Sequence, residues 1–152
     1  MTDSLTIADE VVFPDVNHLI TEDDTPVDNF ASAKQQRLLV SSLYSGAWRS
    51  EPFLAEANVG IYHTISRPAV VPDVFVSLDV QVSPDWWKKP NRCYLVWNFG
   101  KPPELVLEIV STRVGNELTD KLQTYAQMRV SYYVVYDPAQ QLGEMSLRLY
   151  EL

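Results

Sequence analysis

The chain has 152 residues, 46% of them hydrophobic and 21% charged, with a formal net charge of -8, which suits one globular domain around one core. No stretch approaches the ~20 apolar residues of a membrane helix, and the acidic start lacks both the basic residues and the apolar run of a signal peptide, so a cytoplasmic protein with no membrane partner is expected. Cys93 is the single cysteine and His18 and His63 stand far apart, which excludes a disulfide framework and a Cys/His metal site and leaves oxygen ligands for any ion.

Residues 1–29 carry Asp9, Glu10, Asp15, Glu22, Asp23, Asp24 and Asp28 without sustained periodicity and read as an extended acidic leader, the domain itself being expected over 30–152. From Ser32 to Tyr44, the residues Gln35, Leu38, Leu39, Ser42 and Leu43 recur at the spacing of one helix face, with Gly46 as the stop. Residues 53–63 and 70–80 have strand composition, and from Asp73 to Val80 the side chains alternate between two faces. A Pro- and Trp-containing connection from Ser83 to Arg92 leads to the apolar run Tyr94 to Phe99. Glu104 to Val110 is almost continuously aliphatic, as expected of a central strand covered on both sides. Leu118, Lys121, Leu122 and Tyr125 then mark a second helix, followed by a strand from Tyr132 to Tyr136 that Asp137-Pro138 ends. Strand, helix and strand in succession predict a parallel pair, with antiparallel strands before it: an α/β (α+β) mixed sheet flanked by helices. Met145 to Leu152 alternates again and stops at the chain end without turn residues, as expected of a terminal edge strand or of a chain truncated at Leu152.

Glu108 lies between Val106 and Val110 on one face of the central strand. A buried unpaired carboxylate neutralises, pairs with a cation or binds a metal, so Glu108 is a site candidate; the alternative is a glutamate at the wet end of the strand. Asp73, alone, reads equally as a strand-entry aspartate. Together with Glu108 from a neighbouring strand it supplies two hard oxygen ligands of the kind magnesium accepts while keeping water. Lys121 falls in the inward stripe of the second helix. Either its stem packs and the ammonium reaches water, or the ammonium points into the acidic site and meets charge developing on a phosphate. Glu117 and Tyr125, one turn to either side, line the same opening or, for Tyr125, the core.

Pro72-Asp73-Val74-Phe75-Val76, Glu104-Leu105-Val106-Leu107-Glu108-Ile109-Val110-Ser111, Lys121 through Tyr125, and Val130 through Pro138 together resemble the Uma-two family, which is named for restriction endonucleases and is abundant in cyanobacteria. The likeness runs over about residues 30–150. That family is similar to the PD-(D/E)XK nuclease superfamily. The resemblance implies a restriction-endonuclease-like fold, an Asp and a Glu that bind Mg2+ (or Mn2+), and hydrolysis of DNA phosphodiesters. On it Asp73 and Glu108 are catalytic metal ligands, joined by a backbone carbonyl at Ile109. The superfamily's lysine normally follows the glutamate by two residues, where this chain has Val110. Lys121 matches the lysine that the family places in the following helix. Where some superfamily members carry an acid on the first helix, this chain has Lys34, Gln35 and Gln36, and Gln35 is left at most to orient a water.

Trp86, Trp87, Lys88 and Lys89 mix aromatic rings and cations that suit stacked bases and phosphates. The same residues suit a structural role, with tryptophans closing one end of the core or meeting a second copy in a homodimer. No Gly-flanked nucleophile elbow surrounds Ser111, and no glycine-rich phosphate loop is present. The expected function is magnesium-dependent endonuclease action on DNA; the alternative is an inactive nuclease-fold module that binds protein or nucleic acid.

Overall fold

The computed structural model describes residues 12–19, 29–111 and 115–152. A five-stranded sheet in the order β1-β3-β5-β6-β7 forms its centre, with a separate two-stranded sheet, β2-β4, beside it. The strands are β1 (Phe53–Ala57), β2 (Ile61–Tyr62), β3 (Val74–Leu78), β4 (Tyr94–Leu95), β5 (Leu105–Ile109), β6 (Tyr132–Tyr136) and β7 (Leu147–Glu151); the helices are α1 (Phe30–Ser45), the single turn α2 (Val96–Phe99) and α3 (Asp120–Gln127). β5 is third of five, in the central position its aliphatic run predicts, and α3 connects it to its parallel neighbour β6. All other neighbouring pairs in the large sheet are antiparallel, including the terminal edge strand β7. The mixed α/β (α+β) expectation therefore holds.

Three local features depart from the expected pattern. The segment 53–63 is split between two sheets, because Asn58 takes a left-handed turn at φ 55° and Gly60 packs tightly against Ala69 and Cys93. Helix α1 starts at Asn29, whose side chain accepts from the Ser32 amide at 2.9 Å, and it is rotated from the expected face: Ser32 and Gln36 are buried while Leu38 is 66% exposed. Within the expected leader, Val16 and Leu19 are buried against Tyr62 and Leu95; residues 1–11 and 20–28 lie outside the described residues.

The two sheet faces are covered differently. Val74, Leu107, Ile109 and Val134 pack under Leu39 and Val40 of α1. On the other face Phe75, Val106, Val110, Tyr133 and Val135 form the main core with Tyr94 and Tyr125, each large side chain contributing about 1.5–3 kcal/mol by leaving water. Glu108 belongs by strand alternation to this second, apolar face. Among the described residues no helix is long and apolar enough to cross a membrane.

Candidate active site

The antiparallel pairing of β3 with β5 brings the start of one strand to the end of the other. Val74 pairs with Leu107 and Phe75 with Val106, and the same register sets Asp73 opposite Glu108, so the two acids are cross-strand neighbours on one face. Asp73 is held on both carboxylate oxygens. Gln36 Nε2 donates to Oδ1 at 2.8 Å and the Ile109 amide donates to Oδ2 at 2.7 Å. Gln36 is fixed in turn by Asn58, whose Nδ2 donates to Gln36 Oε1 at 2.9 Å. A strand residue turns its N–H and C=O to the same side, so the Ile109 carbonyl also points toward the β3 side of the site.

Glu108 is 3% exposed. Its Oε2 accepts from Lys121 Nζ at 3.0 Å and its Oε1 from the Tyr125 hydroxyl. Burial pushes the Glu108 carboxyl up to about 7; the Lys121 charge and the Tyr125 hydrogen bond hold it down, and the negative charge of Asp73 adds to the rise. Burial and then the Glu108 charge hold the Tyr125 phenol far above its ordinary range, so it stays a proton donor. Glu117 approaches from the start of α3: its Oε1 lies 3.8 Å from Lys121 Nζ, and its Oε2 accepts from the Gly115 amide at 3.0 Å. Lys121 thus sits between two acids with its side chain 35% exposed, at a cleft of about 350 Å³ walled by Glu108, Tyr125, Asn116, Asp120 and Val70. Asp73 stands beside this cleft, outside its wall.

The sequence-derived set Asp73, Glu108, Ile109, Lys121, Glu117 and Tyr125 is brought together here. Gln35 is not part of it: its Nε2 donates to the Ala31 carbonyl at 3.3 Å, and the neighbouring Gln36 holds Asp73. The correction is one helical position, about 100° of rotation, and a buried amide at the 32–36–39–40 spacing was its sequence signal. Asn58 had no local signal, since its partner is 22 residues away. Trp86 and Trp87 are exposed and lie apart from the acids, at the rim of a second cavity. Lys88 pairs with Asp85 at 3.0 Å and Lys89 donates to the Asn17 carbonyl.

Among the described residues no cluster of three or more His, Cys, Asp or Glu side chains forms a ready metal cage. The donor set still suits a small divalent ion that keeps several waters: two adjacent carboxylates, each oxygen with a lone pair left after its hydrogen bond, whose like charges a cation would relieve.

A family model, Uma2, with the description "Putative restriction endonuclease", matches residues 20–148. Among solved structures, the chain is similar to one described as "a putative nuclease belonging to DUF820" from Anabaena variabilis ATCC 29413, with a TM-score of 0.55 and 15% sequence identity over 84% of this chain and 70% of that one. At that identity the likeness concerns the fold. No curated protein matches.

Proposed function

The chain belongs to the Uma2 family, the restriction-endonuclease family whose model spans most of it, and from that premise we propose a divalent-metal-dependent nuclease that hydrolyses DNA phosphodiesters at Asp73 and Glu108, beside the cleft that Glu108 and Lys121 line. One observation carries the reading: two acids from adjacent strands converge at a sheet end where a lysine ammonium lies 3.0 Å from one of them. The arrangement resembles the PD-(D/E)XK constellation, with its lysine supplied by a helix.

Asp73 and Glu108 would hold magnesium or manganese, with the Ile109 carbonyl as the third protein oxygen. When bound, the ion supplies Lewis acidity and a water of lowered pKa. Gln36 and the Ile109 amide keep Asp73 in one rotamer, so the ligand is set before substrate arrives. Tyr125 does the same for Glu108. Lys121 reaches past Glu108 into the cleft, where its ammonium orients the attacking water and opposes the negative charge that grows on the phosphate. Water oxygen would bond to phosphorus as the phosphorus–oxygen bond to the leaving strand breaks, and the proton that the water gives up would pass through solvent to the leaving oxygen.

A second reading, a module that has lost hydrolysis, draws on Val110. It is 2% exposed and so places a closed apolar side chain at the superfamily's usual lysine position. Supercoiled plasmid separates the two. A nuclease nicks it with magnesium, stops in chelator, and loses the activity in Asp73→Asn. A protein that binds manganese yet nicks no faster than buffer is the module.

A further inference from the structure

A larger cavity of about 820 Å³ opens on the same sheet face, toward the β1 edge. Its floor is aromatic: the Tyr94 ring stacks on Phe99 at 4.2 Å and meets Phe75 edge-on at 5.3 Å. Trp86 and Trp87 stand at its mouth, 66% and 85% exposed. Into this apolar wall β1 places a single acid, Glu56. Burial pushes its carboxyl up, and no hydrogen bond or ion pair reaches it from the described residues. Other partly or fully buried acids are matched: Glu104 by Lys101 and the Leu78 amide, Asp137 by the amides of Gln141 and Leu142, and Glu108 by Lys121 and Tyr125. Among the described residues, Glu56 is the acid in a cavity that is left for a ligand to satisfy.

The occupant must offer flat apolar faces and N–H donors. Two tryptophans at the mouth suit a planar ring, since every base has a face to stack on. The carboxylate then discriminates by edge. Guanine presents two adjacent donors, N1–H and the N2 amine, that match the two oxygens of a carboxylate. Adenine and cytosine present one donor next to an acceptor that the carboxylate repels, and thymine flanks its one donor with two carbonyls. We infer that this cavity binds an unstacked guanine base of the nucleic acid, Trp86 and Trp87 stacking on it and Glu56 accepting from its N1–H and N2 amine. The inference rests on the nuclease reading and adds base preference to it. An aliphatic ammonium would satisfy Glu56 by charge and meet the tryptophan faces by cation–π attraction, but it would leave the polar rim of Gln81 and Asn91 unused. Register also favours a nucleic acid. Glu56 pairs with Phe75, two residues along β3 from Asp73, which sets the two acids' backbones about 8 Å apart by strand rise and spacing. Neighbouring nucleotides of one strand can occupy both sites.

The test titrates the metal-free full chain, in chelator, with the four deoxynucleoside monophosphates and deoxyinosine monophosphate, which lacks the N2 amine. The guanine nucleotide should bind about 10- to 100-fold more tightly than the adenine, cytosine and thymine ones, with inosine between them. Glu56→Gln should erase that preference. Trp86→Ala with Trp87→Ala should weaken all nucleotides alike, and thermal melts establish that each variant is folded. Equal affinities for the bases, no nucleotide binding, an unchanged preference in Glu56→Gln, or choline binding where nucleotides do not would each overturn the inference. Binding here needs neither metal nor cleavage. Plasmid nicking without base preference therefore removes this inference alone, whereas guanine preference without nicking removes only the hydrolytic reading.

Discussion

Two acids on one sheet face, Glu108 of β5 and Glu56 of β1, meet opposite conditions. Glu108 is buried more deeply, yet both its oxygens are occupied, by Lys121 and by Tyr125. Glu56 is only half-buried, lies among aromatic rings and has no such donors among the described residues. A carboxylate with fixed donors is held in place by its own protein, and its job is to be in the right position when a reaction starts. A carboxylate without them is complete only when something else arrives. On the two readings proposed above, the difference separates a reacting centre from a reading pocket.

The strongest way to break this comparison is to neutralise the centre. Asp73→Asn or Glu108→Gln should lower plasmid cleavage by roughly 1,000-fold, the equivalent of about 4 kcal/mol of transition-state stabilisation, while guanine binding is retained. Lys121→Met keeps the apolar stem and removes the ammonium. It should cost about 2–4 kcal/mol at the transition state, a rate loss of roughly 30- to 1,000-fold, with the melting temperature little changed and manganese still bound. In the metal-free variant the Glu108 carboxyl should titrate higher still, because the Lys121 charge holds it down. Cleavage by Lys121→Met at the wild-type rate would return that lysine to a packing role.

The same buried acid sets a pH dependence. Burial pushes the folded Glu108 carboxyl up to about 7 against 4.5 for an ordinary one, so the folded state binds its proton more tightly. This contribution to stability is fully present below pH 4.5 and is lost as pH rises through about 7. The swing is on the order of 3 kcal/mol, roughly 6–12 °C in Tm for a domain of this size. Melts in chelator across that range should show it in wild type and not in Glu108→Gln, and magnesium should reverse it at neutral pH. Gln36→Leu should weaken manganese affinity by about 10-fold, since Asp73 loses the donor that orients it; an unchanged titration would make Gln36 a packing residue. The smallest effect belongs to the loop beside the larger cavity. Lys88→Ala with Lys89→Ala should reduce the magnitude of the salt slope of DNA binding by up to about two, because one lysine is paired with Asp85 and the other tied to Asn17.

Much of the centre was legible in the sequence because it sits on regular elements. A nearly unbroken aliphatic strand marks the sheet's middle, so the glutamate within it stands out, and a helical stripe turns Lys121 and Tyr125 inward beside it. The first helix was harder. Its inward residues Ser32 and Gln36 are polar because they face the sheet's acidic end, so hydrophobic periodicity alone picked the wrong neighbour, Gln35. Asn58 ends β1 in a left-handed turn that strand composition does not announce, and it reaches Gln36 across 22 residues of chain. Glu56 was hidden for a different reason. In Phe53-Leu54-Ala55-Glu56-Ala57 a single acid on an edge strand reads as a solvated position, and only the fold shows the aromatic cavity that closes over it.

Manganese tests the centre most directly, because it can be located without knowing any substrate. Crystals of the metal-free protein soaked in manganese should show one anomalous peak bound directly to both the Asp73 and Glu108 carboxylates. The same peak should be missing in Asp73→Asn. An ion found elsewhere, or no ion while Asp73 stays on Gln36 and Glu108 stays on Lys121 and Tyr125, would contradict a metal-dependent active site at this pair.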